Sequence, residues 1–434
     1  MADPWLSIIG IGEDGLAGLP CASREALDAA AIVFGGPRHL SLAQVGARGR
    51  EWPVPFDLGP LLALRGTRAA MLVSGDPFWH GAGGLLAARL PAAEWRAFPA
   101  PGTFSLVAAR LGWRIEETRC LGLHAAPLAR LRPVMGRGVR AICTLRDAAA
   151  VPALADWLAA HGLGATRITV CEALGGPRER IREGAHWPDI AGPVAVALDG
   201  AALPRGAGLA RAAGLPDALF AHDGQITKAP VRALTLAALA PRPGELLWDI
   251  GAGSGSVSVE WCLAGGRAIA IERRADRIAN IRRNADAFGI AHRLKIVQGD
   301  AAGVLDDLDE PDAVFVGGGG DAVLDRLAAS GHDHGPAPER GRDGGDASGE
   351  KPGVTAAARG AAGGAAAQAG RWQVGAGAPR LVANAVTLES EARLAGLHAA
   401  RGGRLLRIDL AEAAPLGRYR GWQPARPLVQ WIWP

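Results

Sequence analysis

Lysine is almost absent: of 47 basic residues only Lys228, Lys295 and Lys351 are lysines, the remainder being arginine. Against 43 acidic residues this leaves a formal net charge of +4 over 434 residues, with no polybasic block. Such a balance gives no support to nucleic-acid or membrane-surface partners, which need concentrated positive charge. Cysteine is scarce as well. Cys21, Cys120, Cys143, Cys171 and Cys262 are odd in number and have no short paired spacing. Neither a disulfide framework nor a zinc site is indicated, and all five are expected to be reduced, small core residues. No stretch comes near the roughly 18 apolar residues of a membrane helix. The amino terminus, Met1-Ala2-Asp3-Pro4-Trp5, lacks a basic region followed by an apolar one. A cytoplasmic protein with no membrane partner is expected.

What is present is ordinary for a folded chain: 49% hydrophobic and 21% charged residues. At about 150 residues per domain, the length predicts two or three domains with full cores. Residues 5–12 read as an apolar strand ending in glycines, followed by a helical pattern over 19–31. Strand-like runs at 68–73, 140–145, 167–171 and 194–198 alternate with helical stretches at 83–90 and 151–161. A second series begins after Gly214-Leu215-Pro216, with strands at 246–250, 268–272, 294–298, 313–316, 381–385, 404–410 and 428–433. This alternation predicts an α/β protein whose second half is a doubly wound, seven-stranded sheet with its ligand at the carboxyl ends of the strands. The boundary is expected near residues 205–216, giving domains 1–205 and 206–434. Residues 331–379 collapse into Gly, Ala, Asp and Arg and read as a disordered insertion in a surface loop. Its His332-Asp333-His334 is read as a solvated triplet, so no metal is expected.

The most specific motif is Asp249-Ile250-Gly251-Ala252-Gly253-Ser254-Gly255, an acid followed by alternate glycines at a strand-to-helix turn. Glycines there let the backbone approach a ligand, but a dinucleotide would use a similar turn. Two further acids decide between them. Glu272 at the end of the next strand is placed to accept hydrogen bonds from both ribose hydroxyls. Asp300 and the Ala301 amide, after the third strand, suit an adenine amino group and ring nitrogen. An NAD site has no use for that second acid, so the pattern points to S-adenosylmethionine (SAM). Residues 216–434 thus resemble the class I methyltransferases, with a Rossmann-like fold.

Amino-group methyltransferases of that class carry an Asn/Asp-Pro-Pro-aromatic signature after the fourth strand. Here the corresponding residues are Val316-Gly317-Gly318-Gly319-Gly320, which disfavours exocyclic amines as substrates. The one Pro-Cys pair, Pro20-Cys21, lies far upstream of this domain, so a cytosine C5 nucleophile is absent from it. Three stretches resemble the C15-methylating, decarboxylating domain of corrin biosynthesis: His222-Asp223-Gly224-Gln225-Ile226-Thr227-Lys228, the glycine run, and Asn384-Ala385-Val386-Thr387-Leu388-Glu389-Ser390. The resemblance implies that Gln225 and Thr227 line the SAM cleft, while Gly318, Gly319 and Asn384 face a tetrapyrrole. The blander account of the residues alone is that Thr227 caps a helix and Asn384 satisfies a loop.

Residues 1–205 resemble a different fold, the tetrapyrrole (class III) methyltransferases, with subdomains at about 1–112 and 113–205 and SAM between them. The segments concerned are Ile8-Ile9-Gly10-Ile11-Gly12-Glu13-Asp14-Gly15, Val73-Ser74-Gly75-Asp76-Pro77 and Pro99-Ala100-Pro101-Gly102-Thr103-Phe104-Ser105. The resemblance implies a SAM site at Gly75, Asp76, Thr103, Phe104 and Ser105, with Gly10 and Gly12 toward the substrate. The family's opening loop usually reads Gly-x-Gly-Pro-Gly-Asp, from which this chain departs at Glu13 and Asp14.

The decarboxylating C5,15-methyltransferases of corrin biosynthesis join these two domain types in this order. That resemblance implies a bifunctional enzyme that uses SAM to methylate precorrin-6B at C5 and C15, removes the ring C acetate carboxyl as carbon dioxide, and assembles as a homo-oligomer. Competing readings are an RNA methyltransferase, the same reactions on a cobalt-containing intermediate, an NAD-dependent oxidoreductase and a non-catalytic SAM sensor.

Overall fold

A computed structural model describes residues 4–317, 320, 323–324 and 379–433. The chain divides between Ala210 and Arg211 into two compact units. The expected insertion at 331–379 lies, but for its last residue, outside the described residues.

In the first unit, β1 (Leu6–Ile11), β2 (Ile32–Gly35), β3 (Gly49–Glu51), β4 (Ala69–Ser74) and β5 (Trp95–Phe98) form an all-parallel sheet in the order β3-β2-β4-β1-β5. Central strands of such a sheet are covered on both faces and must be apolar throughout. The sequences LSIIGI and AAMLVS of β1 and β4 meet that demand, pairing in register from Leu6↔Ala69 to Ile11↔Ser74. Successive side chains point to opposite faces. Ile8 and Met71 therefore join one core cluster, Ile9 and Leu72 the other.

A second sheet holds β6 (Thr118–Gly122), β7 (Arg140–Thr144), β8 (Arg167–Glu172), β9 (Arg180–Glu183) and β10 (Val194–Asp199) in the order β6-β7-β10-β8-β9. Here only β6 and β7 are parallel. Helix Thr103–Leu111 ends at Gly112, whose φ of +64° suits a left-handed cap. Its Phe104, Val107 and Ala108 pack on Ile142, Cys171, Ala195 and Ala197 of this sheet, whose opposite face carries helix Ala150–Ala160. The arginine-rich edge strand β9 gave no apolar signal in the sequence.

The second unit contains β11 (Leu246–Ile250), β12 (Arg267–Glu272), β13 (Leu294–Gln298), β14 (Ala313–Val316), β15 (Arg380–Ala385), β16 (Arg404–Ile408), β17 (Ala411–Leu416), β18 (Tyr419–Pro424) and β19 (Leu428–Trp433). Seven of them form one sheet in the order β13-β12-β11-β14-β15-β19-β16, with β19 antiparallel to both neighbours. The chain runs outward from β11 through β12 to β13, then crosses back to β14. This reversal opens a crevice at the carboxyl ends of β11 and β14. The strand expected over 404–410 ends at Ile408, and the hairpin β17–β18 was not anticipated. Its residues are mostly exposed, so no buried face imposed an apolar alternation on them.

Cys21 departs from expectation. It is exposed at the start of helix Cys21–Asp28, whose buried positions are Ser23 and Leu27. Burial raises the thiol pKa of Cys171 and of Cys262 to about 12, consistent with inert core residues. Among the described residues no helix is long and apolar enough to cross a membrane.

Candidate active site

In the second unit the turn after β11 lies at the sheet reversal. Gly251, Gly253 and Gly255 have φ of +69°, +59° and +71°, left-handed conformations that L side chains rarely adopt. The Gly251 and Ala252 amides donate to Ile271 O at 3.0 and 3.1 Å, tying the turn to β12. Glu272, 4% exposed, closes the arrangement. Its Oε2 accepts from Gly253 N at 2.9 Å and its Oε1 from Arg274 N at 3.0 Å. Each carboxylate oxygen keeps a second lone pair for a diol.

Asp249 is 1% exposed, with Oδ2 accepting from Ser258 N at 3.1 Å and from Ser258 Oγ at 2.6 Å. Its role here is to fix the turn against helix Ser256–Leu263. Oδ1 is buried without a partner among the described residues, and burial above all, with Glu272 adding repulsion, raises the Asp249 pKa to about 6. An orphaned buried acceptor beside a glycine turn suits a ligand that brings a donor or a positive charge, as the SAM ammonium does. Asp300 caps helix Ala301–Val304, Oδ1 accepting from Ala302 N at 3.0 Å. Its Oδ2 has no partner among the described residues.

Gln225 and Asp223 are drawn to Arg277: Gln225 Oε1 accepts from Nη2, and Asp223 Oδ2 accepts from Nε at 2.9 Å. Thr227 does not cap helix Ala229–Leu239, a position held by Lys228; its carbonyl accepts from buried Arg232. Asn384 is half-buried and committed inside the unit, Nδ2 donating to Thr235 Oγ1 at 3.0 Å and Oδ1 accepting from Gln430 Nε2 at 2.9 Å. That leaves it little capacity for a substrate. Gly318 and Gly319 lie outside the described residues. Gly317 shows why a small residue stands there, since a Cβ would come within 3.3 Å of Gly251 O.

In the first unit the three motif segments converge. A Cβ on Gly10 would lie 1.9 Å from Gly75 O, and one on Gly75 would lie 2.6 Å from Gly102 Cα. Gly75 has φ of +57°, donates to Ile11 O at 3.2 Å and accepts from Ala100 N at 3.3 Å. Three turns thus meet backbone to backbone, leaving peptide groups as the surface a ligand would touch. Asp76 Oδ1 accepts from Phe78 N at 2.8 Å, shaping its own turn. Thr103 is half-buried and Ser105 exposed at the head of their helix. Phe104 is 3% exposed, its ring packed by Trp79 at 5.1 Å, so it supports the turn from behind. Gly12 is constrained by Asp14, whose Oδ1 would lie 2.6 Å from a Cβ.

Two features emerge only from the fold. One is a cavity of about 600 Å³ at the carboxyl ends of β6 and β7, lined among others by Leu123, His124, Leu145 and Arg146. The other joins Glu13, Arg38, His39, Ser74 and Arg178 at the carboxyl ends of β1, β2 and β4. These residues are scattered through the sequence and only the fold unites them.

Two α/β units on one chain each carry a glycine turn at the carboxyl ends of parallel strands. Residues 6–185 match the family model of tetrapyrrole (corrin/porphyrin) methylases, and residues 218–335 and 359–434 match that of the precorrin methyltransferase domain. A precorrin-6Y C(5,15)-methyltransferase [decarboxylating] of Sinorhizobium sp is 42% identical over 445 residues, covering 100% of this chain and 97% of that one. The protein of the same name from Mycobacterium tuberculosis is 37% identical over 448 residues, covering 98% of both. The crystal structure of the C-terminal domain of precorrin-6Y C5,15-methyltransferase from Rhodobacter capsulatus is 52% identical, covering 52% of this chain and 98% of that one, with a TM-score of 0.40. The chain belongs to the family of decarboxylating precorrin-6Y C5,15-methyltransferases. It is an enzyme of methyl transfer and decarboxylation whose methyl donor is SAM.

Proposed function

We propose that the chain methylates precorrin-6B (precorrin-6Y) at C5 and C15 and releases the ring C acetate carboxyl as carbon dioxide, giving precorrin-8X in cobalamin biosynthesis. The first unit takes C5; the second takes C15 and the decarboxylation. The observation that carries this reading is the presence of two separate glycine-turn sites on one chain, in an order matched along the whole length by relatives of that name.

Bound SAM supplies an electrophilic methyl group on its sulfonium. The chain's own part is to position and to exclude water. Glu272 holds the ribose diol, Asp300 and the Ala301 amide the adenine edge, and Gly251 and Gly253 admit the ligand close to the backbone. Gln225 and Thr227 line the cleft beside them. In the first unit Gly75, Asp76, Thr103 and Ser105 form the corresponding cradle, with Gly10 and Gly12 toward the macrocycle. A reduced tetrapyrrole contributes enamine-like carbons, so no protein nucleophile is needed, and alignment in a desolvated cleft lowers the barrier by about 7 kcal/mol or more in favourable cases. Loss of carbon dioxide leaves an electron pair that the protonated, conjugated macrocycle accepts.

A cytoplasmic location, in keeping with five unpaired cysteines, and assembly as a homo-oligomer complete the reading. Light scattering on the purified chain checks the latter. The central test is mass spectrometry of precorrin-6B incubated with SAM and the full chain. Two added methyl groups with loss of one carbon dioxide are expected. An unchanged tetrapyrrole, in a preparation that binds SAM, refutes the assignment.

A further inference from the structure

Two guanidinium groups of the first unit share a single carboxylate. Arg38 Nη1 donates to Glu13 Oε1, and Arg178 Nη2 donates to Glu13 Oε2 at 3.2 Å. Among the described residues Glu13 is the one carboxylate within ion-pair distance of either arginine, so the trio carries an excess positive charge. Glu13 is fixed: its side chain is 6% exposed, and its backbone packs so closely on Gly176 that a Cβ there would lie 2.8 Å from Glu13 O. The arginines are not buried, with side chains 37% and 61% exposed. Each guanidinium has five N–H donors, more than these bonds use.

The neighbours sharpen the chemistry. Arg38 Nη2 donates to Ser74 Oγ at 2.7 Å and lies 3.0 Å from His39 Nε2, which in turn is 2.8 Å from Ser74 Oγ. A guanidinium cannot accept a hydrogen bond, so His39 Nε2 is the acceptor and the imidazole is neutral. Its pKa, pushed down to about 4 by burial and then by Arg38, agrees. The net charge therefore rests on the arginines, and the exposed hydroxyl of Ser74 stands beside them.

Position gives this cluster its meaning. It lies at the carboxyl ends of β1, β2 and β4, the side of a parallel sheet on which ligands bind. Ser74 directly precedes Gly75, and Glu13 directly follows Gly12. We propose that Arg38 and Arg178, bridged by Glu13 and flanked by Ser74, anchor a peripheral carboxylate of the tetrapyrrole during methyl transfer by the first unit. This rests on the functional reading above, in which the substrate is a polycarboxylate. Planar guanidinium groups pair with carboxylates through two parallel hydrogen bonds, which fixes orientation as well as affinity. Glu13 holds both arginines in place without neutralising them.

SAM also has a carboxylate, and the test separates the two sources. Arg38→Gln and Arg178→Gln are assayed in the full chain with precorrin-6B and SAM, with products resolved by mass spectrometry. Methyl gain without carbon dioxide loss reports the first unit, and decarboxylating methylation serves as an internal control. Each substitution is expected to raise the tetrapyrrole KM of the first reaction roughly tenfold or more. The SAM KM should stay within about twofold, with Arg178→Lys recovering part of the loss. A tetrapyrrole KM unchanged within about twofold in either variant, or a rise in the SAM KM instead, overturns the proposal. Should Arg38→Gln unfold the unit, the more exposed Arg178→Gln decides alone. A wild-type chain that leaves precorrin-6B unmethylated overturns the functional reading itself, a distinct result.

Discussion

Arg232 Nε donates to Glu260 Oε1 at 2.6 Å between side chains that are 0% and 3% exposed. Glu260 also accepts from Gly214 N at 2.6 Å and Leu215 N at 3.0 Å, while Arg232 donates to the carbonyls of Leu215 and Thr227 and lies 4.7 Å from the centre of the Phe220 ring. One buried ion pair thus pins both ends of the segment that carries Asp223, Gln225 and Thr227. Removing one partner strands a buried charge, which costs about 3–5 kcal/mol. Arg232→Met is therefore expected to lower the thermal transition of the second unit and to abolish decarboxylation, while methylation by the first unit continues. Calorimetry and product mass spectrometry check both outcomes. The pair Arg232→Met/Glu260→Leu should lose less stability than Arg232→Met alone.

Gly75→Ala places a methyl 2.6 Å from Gly102 Cα in a backbone with φ of +57°. A contact with backbone cannot relax by moving a flexible side chain. Loss of methylation by the first unit is expected, with decarboxylating methylation by the second retained. Gly66→Ala is the control: its φ of +90° is also strained, but a Cβ there meets nothing within 4 Å. If Gly66→Ala loses first-unit methylation to the same degree, backbone strain and not turn packing explains the effect.

Asp249 gives a pH dependence of definite sign. Burial raises its pKa from 3.8 to about 6, so the folded SAM-free unit holds this proton more tightly than the unfolded chain. Stability from this group therefore falls as pH rises from about 4 to about 6 and stays lowered above that, by up to about 3 kcal/mol. Asp249→Asn removes the slope. The Tm advantage of the variant over wild type, measured without SAM, should be larger near pH 7 than near pH 5. An advantage independent of pH would show that Asp249 is charged across the whole range.

Much of the second site was legible because its chemistry is local. Asp249, the three glycines and Glu272 each follow directly from a strand end, and a parallel sheet brings neighbouring strand ends together. Asn384 shows where such reading stops. Its place at the end of β15 was foreseeable, but its hydrogen bonds go to Thr235, which is 149 positions away, and to Gln430 on β19. The hairpin β17–β18 escaped notice because exposed strands carry no pattern imposed by a core.

By itself the sequence determined the α/β class, the two glycine turns and the acids at strand ends, since propensity, periodicity and turn chemistry act over a few residues. Tertiary structure alone decided what those turns touch. The backbone contact of Gly10 with Gly75, the Arg232–Glu260 pin, and the meeting of Arg38 with Arg178 on Glu13 depend on strand order and on close packing between segments far apart in the chain. Local sequence signals do not encode such distances.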